Sequence, residues 1–202
     1  PDNPLSKEPV AAGITSLDFE TSQQTFRGLV TQHAESAVTD MVRIASSAGA
    51  LQAGTQAWRM LVDAADAHYR PGTFTTFVAY EWSSMPNLAN LHRNVVFRGT
   101  RVPERPFSSM DSNRPEGLWA FLDDWRAGGG DDAIAIPHNS NASKGLMYPL
   151  EDSIGKPVDA AYAERRLRNE PVTEMTQFKG TSETHPKLAT NDEFADFEIW
   201  NT

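Results

Sequence analysis

The stretch "AYEWSSMPNLANLHRNVVFRG", residues 79–99, carries the reading on which the fold turns. Its first half completes an apolar run, "TFTTFVAYEW", rich in β-branched and aromatic residues. Such composition is that of a strand, and the nearly continuous hydrophobicity from Phe77 to Tyr80 suits one covered on both faces. Glu81 closes that strand, where an unpaired carboxylate is costly unless a cation or several donors compensate it. A second strand, "NVVFRG", follows a polar excursion, and His92 stands at its opening. A loop returning to the rim it left would bring the Glu81 carboxylate and the His92 imidazole together. Taken singly, Glu81 reads as a turn cap and His92 as a loop histidine.

Downstream, "RPEGLWAFLDDWRAGG" is the clearest helix, with Leu118, Trp119, Leu122 and Trp125 as its apolar stripe and Gly128–Gly130 as its stop. The stretch "AIAIPHNSNAS" then begins as a buried strand and breaks at Pro137, presenting His138, Asn139 and Asn141. A helical pattern, "VDAAYAERRLRNE", precedes the expected strands "VTEMTQFKG" and "FEIWN". Upstream, "QAWRMLVDAADAHYRPG" places Trp58, Leu61, Val62, Ala65 and Tyr69 at helical spacing before Pro71-Gly72, in a pattern that becomes helical from Asp40. Residues 1–39 read as an irregular segment or insertion, and residues 40–202 as one α/β unit. Strands alternating with helices imply a mainly parallel sheet, with chemistry gathered at the strand ends. Glu81, His138 and Lys179 each end an expected strand.

Composition limits the chemistry. The 202 residues, 39% hydrophobic, can bury one sizeable core or two small ones. A formal charge of -9 argues against nucleic acid as a partner, since a polyanion-binding surface carries a basic excess. With no cysteine, disulfides and thiolate metal sites are excluded, so any metal must be held by histidine and carboxylate. No apolar run approaches the roughly 20 residues that span a bilayer, so no membrane is expected as a partner. Three strand-end residues, Glu81, His92 and His138, together suit manganese, zinc or iron.

The stretches "PGTFTTFVAYEWSSMP", "NLHRNVVFRG", "IPHNSNASKGLMY", "RNEPVTEMTQFKGTSETHP" and "NDEFADFEIW" closely resemble family 3604 of domains of unknown function, from about Trp58 to the end. The resemblance places the chain in a branch of the polymerase and histidinol phosphatase (PHP) superfamily. It implies a distorted β/α barrel with mainly parallel strands, two or three divalent metal ions, and hydrolysis of a phosphate or sulfate monoester by metal-activated water. It also implies Glu81 as a bridging ligand, with His92 and His138 as terminal ones, and favours a periplasmic or secreted location. A non-catalytic PHP-like binding or scaffold domain is the alternative, and a redox or lyase activity with the same metals a further one.

Departures from the superfamily pattern are clear. The opening strand that ends in His-x-His, the Asp-His pair and the closing Asp-x-His strand are missing, and "TQHAES" around His33 carries Gln32 where aspartate is expected. The chain therefore reads as the middle portion of a longer protein with both barrel ends elsewhere. Arg93, Asn94, Asn139 and Asn141 are expected to donate to an anionic ester oxygen, although loop hydrogen bonding is an equal reading for them. Lys179 is expected to neutralise the ester and His185 to protonate the leaving group, against the plainer reading of an ion pair between Lys179 and Glu183.

Overall fold

A computed structural model describes residues 48–182 and 184–196. The expected irregular segment 1–39, His33, Glu183 and the strand "FEIWN" lie outside the described residues. The chain divides into two units, Pro1–Leu61 and Val62–Thr202, and the boundary falls inside the first described helix, α1 (Ala48–His68). Everything that follows concerns the second unit.

Three strands, β1 (Ala79–Trp82), β2 (Arg93–Phe97) and β3 (Ala133–Pro137), form an antiparallel sheet in the order β1-β2-β3. Helix α2 (Pro115–Ala127) lies between β2 and β3 in sequence, and α3 (Ala160–Asn169) follows β3. A two-stranded antiparallel hairpin, β4 (Thr176–Gln177) and β5 (Gly180–Thr181), completes the set.

This arrangement overturns the expected parallel barrel: both sheets are antiparallel, and no closed barrel occurs among the described residues. Two physical reasons account for it. Residues 83–92 contain only a 3-10 turn, Pro86–Leu88, and a parallel partner requires a longer crossover, usually through an α-helix. The main chain instead doubles back, with Leu91 N–H donating to Ser84 O at 2.9 Å just beyond the Trp82–Arg93 pair.

Between β2 and β3 the helix is real, but it is only half of the connection. Arg98 N–H donates to Asp132 O, so the segment leaves and re-enters the sheet at one rim. Residue 113 has meanwhile reached the other rim, where Ser84 Oγ donates to Asn113 O at 2.6 Å. Residues 98–114 therefore traverse the sheet one way and α2 returns, leaving β3 antiparallel to β2. Phe77, read as doubly covered, precedes β1 and is 55% exposed.

Period-two alternation sorts the sheet into two faces. Tyr80, Val95 and Ala135 lie side by side, as do Trp82, Arg93 and Pro137; this face packs toward α2 and α3. Leu118, Trp119 and Leu122, three of the four expected stripe residues, are buried there, and Trp125 meets Phe97 edge-on with ring centroids 6.1 Å apart. Asp159 caps α3 by accepting from Tyr162 N–H at 2.9 Å.

The core face also holds a charge. Arg93 is buried, and its Nε donates to Glu170 Oε1 at 2.9 Å, while Trp119 Nε1 donates to the same oxygen at 2.8 Å. Arg166 Nη2 lies 3.1 Å from Glu170 Oε2. Arg93 Nη1 also donates to Leu91 O, so one guanidinium fixes the main chain on either side of His92.

Candidate metal centre

Glu81, Asn94 and Ile136 are opposite one another on the second face of the sheet. His92 precedes β2 and His138 follows β3, and alternation directs both toward this face at one rim. The antiparallel topology thus achieves what the parallel one was expected to achieve. The C-terminal ends of β1 and β3 and the N-terminal end of β2 share an edge, and three potential ligands meet there.

The three side chains are in contact. His92 Nδ1 lies 2.7 Å from Glu81 Oε1, and His138 Nε2 lies 3.2 Å from the same oxygen. The two imidazoles meet edge-on, with centroids 5.8 Å apart. Each ring thus directs one nitrogen at the carboxylate, while His92 Nε2 and His138 Nδ1 are buried without a hydrogen-bond partner. One ligand atom from each residue lies within 4.8 Å of the others. Bonds of about 2.0–2.2 Å to a shared divalent ion need only modest side-chain rotation to close that spacing. Two imidazoles and one carboxylate, with the carboxylate 46% exposed, suit zinc, manganese or iron with positions open to solvent.

Electrostatics favour the ligand forms. Burial pushes the Glu81 carboxyl upward, but the charge and hydrogen bond of His92, then those of His138, outweigh it and hold the group below its ordinary range. Burial lowers His92 below its ordinary 6.5; Glu81 opposes this, and His138 and Lys179 add to it. A neutral imidazole at physiological pH is a ready ligand. In an NMR titration of the metal-free protein, His92 is expected to titrate below 6.5. The unfolded chain takes up this proton first, so the His92 contribution favours folding above that value and is lost as the pH falls through the interval below it. A His92 midpoint above 6.5 contradicts this reading.

A loop clamp sets His138. Asn90 Nδ2 donates to His138 O at 2.8 Å and to Asn139 O at 3.1 Å, and Asn90 N–H donates to Ala142 O. Asn139 adopts the left-handed region at φ 54°, which asparagine tolerates better than most residues, and its N–H donates to Glu174 Oε1 at 3.1 Å. Gln177 Nε2 holds the Glu174 carboxylate at 2.8 Å. Asn90 and Glu174 therefore shape the site, although each looks in the sequence like an ordinary polar residue of a loop or strand.

The remaining expected site residues divide. Asn94 is exposed opposite Glu81. Asn141 Nδ2 donates to Lys179 O at 3.0 Å, tying the loop after His138 to the β4–β5 hairpin. Lys179, expected at a strand end beside Gln177, instead forms the two-residue hairpin turn with Phe178, and its charge reaches His92. Asn139 is buried, and its Oδ1 has no hydrogen-bond partner. Arg93 points into the core, away from the triad, in its pair with Glu170. His185 is exposed, and its Nδ1 accepts from Lys187 N–H at 3.2 Å within its own turn.

Among the described residues, no helix is long and apolar enough to cross a membrane. No curated protein and no solved structure matches the chain. One family model does, over residues 3–202, under the description "Protein of unknown function (DUF3604)". The match covers the candidate metal centre and nearly the whole chain, and the protein belongs to the DUF3604 family.

Proposed function

We propose that the protein is a metal-dependent hydrolase that cleaves a phosphate or sulfate monoester. The observation that carries this reading is the convergence of Glu81, His92 and His138, with one ligand atom of each within 4.8 Å of the others. A link between this family and the PHP metallohydrolases belongs to the same proposal, as does a periplasmic or secreted location; both rest on the sequence motifs. The parallel barrel is no part of it.

Glu81, His92 and His138 would hold the cation. A bound divalent ion supplies an activated water near neutral pH and stabilises charge on the ester oxygens. The chain's own residues do the rest. Lys179, on the hairpin turn whose charge reaches His92, offers an ammonium to the anionic ester. Asn94, on the same face as Glu81, offers an amide donor. Asn141 keeps the hairpin against the loop that carries His138. His185 is exposed, and its bond from Lys187 N–H engages only Nδ1, so a role as proton donor to the leaving group falls to Nε2.

The alternative, a non-catalytic binding or scaffold domain, has one observation in its favour: the Glu81 carboxylate already links both imidazoles by hydrogen bonds. A substrate panel separates the two. Aryl sulfate, aryl phosphate and a phosphodiester assayed with manganese, zinc or iron should show metal-dependent turnover of one monoester, suppressed by chelation. No turnover of any ester in metal-replete protein favours the scaffold.

A further inference from the structure

His138 is held from both sides by one residue. Glu174 N–H donates to Pro137 O at 3.0 Å, gripping the peptide unit that enters His138. Glu174 Oε1 accepts from Asn139 N–H at 3.1 Å, gripping the unit that leaves it. A peptide unit is planar, so fixing the units on either side fixes both main-chain dihedrals between them. The direction of the His138 Cα–Cβ bond follows, and with it the path along which Nε2 approaches Glu81 Oε1.

The second grip also meets strain. Asn139 occupies the left-handed region at φ 54° and ψ 42°, which a residue other than glycine keeps only where its surroundings hold it. An ionised oxygen is the stronger kind of acceptor for that N–H. Gln177 Nε2 donates to both Glu174 oxygens at 2.8 Å, which keeps the carboxylate aimed at the loop. Glu174 lies outside the ligand group of Glu81, His92 and His138, so any effect it has on a cation passes through His138.

We propose that Glu174 is a positioning residue of the metal centre, setting through the two flanking peptide units the direction from which His138 meets the ion; this rests on the metal reading of the triad and adds a residue to it. Isothermal titration with zinc alone tests it on the wild type, Glu174→Ala and Glu174→Gln. Asp159→Ala, which removes the α3 cap, controls for lost stability. Glu174→Ala should lose zinc affinity by about 10–100-fold, the usual cost of removing a group that orients a metal ligand. Glu174→Gln keeps an acceptor for Asn139 N–H and should recover most of that loss, and Asp159→Ala should bind zinc like the wild type. Imidazole ¹⁵N NMR at saturating zinc should show the His138 resonances of Glu174→Ala displaced from their wild-type bound positions, with those of His92 in place.

Gln177→Ala leaves the Glu174 carboxylate present but free to turn, and it keeps the test decisive if Glu174→Ala fails to fold. It should lower zinc affinity by about 10-fold, the lower end of the same range. Wild-type affinity in Glu174→Ala, or in Gln177→Ala where only that variant folds, overturns the proposal and leaves the triad standing as a metal site. So does Glu174→Gln as weak as Glu174→Ala, an equal loss in Asp159→Ala, or His138 resonances unmoved in Glu174→Ala. Wild-type protein that binds no zinc overturns the metal reading and this proposal together.

Discussion

Glu170→Ala is expected to destabilise the protein by about 3–5 kcal/mol, because it leaves the Arg93 guanidinium buried without its counter-charge. The geometry gives the reason for so large an effect. Both members of the pair are 1% exposed, and Glu170 Oε1 also takes the indole N–H of Trp119. Removing the carboxylate therefore orphans two donors at once and exposes Arg166 to the same loss. Chemical denaturation should show the midpoint falling while the slope stays constant, and the melting temperature should drop by about 10 °C. A cost below about 1 kcal/mol would mean that the pair is not sealed from water. The same substitution should also weaken metal binding, because Arg93 fixes the Leu91 carbonyl and so the main chain that presents His92.

Glu81→Gln should have the opposite profile, with little effect on folding and a large one on the site. Glu81 is half-exposed at a sheet edge, and the amide preserves its shape, so stability should change by less than about 1 kcal/mol. The lost charge is the one that both imidazoles face. Metal affinity should fall by about 100-fold or more, with turnover of the monoester falling in parallel. Zinc or manganese content after dialysis, measured beside the rate, reads both. Unchanged metal content together with unchanged activity would remove Glu81 from the site.

The local pattern carried much of the structure. β-Branched and aromatic runs marked β1 and β2, the break at Pro137 marked the end of β3, and the glycines after Ala127 marked the end of α2. Strand direction did not follow from that pattern. The helix between β2 and β3 looked like a single crossover, and the extended traverse of residues 98–114 has no periodicity to reveal it. The segment "VTEMTQFKG" alternates like one strand, yet it folds back after Gln177, with Gly180 at φ 113° on the return.

Legibility of the site was similarly uneven. Glu81, His92 and His138 could be singled out because a carboxylate and two imidazoles at strand ends are chemically expensive to place there. Their convergence survives the change of topology, because an antiparallel hairpin also returns the chain to the rim it left. Arg93, one residue from His92, was grouped with the site by sequence proximity. Alternation sends it to the opposite face, where only the distant Glu170 explains it. Asn90 and Glu174 gave no local signal, since their partners lie 48 and 35 residues away.

The central claim is that Glu81, His92 and His138 bind a metal ion together. Imidazole ¹⁵N NMR of the protein titrated with zinc tests this most directly, because each ring nitrogen reports its own protonation and coordination. The account predicts that one nitrogen of His92 and one of His138 shift together as zinc is added, at neutral pH and with saturation at a common stoichiometry. In Glu81→Gln both responses should move to a much higher zinc concentration. His92 and His138 resonances that stay in place while zinc binds elsewhere, or that respond separately and regardless of residue 81, would contradict it.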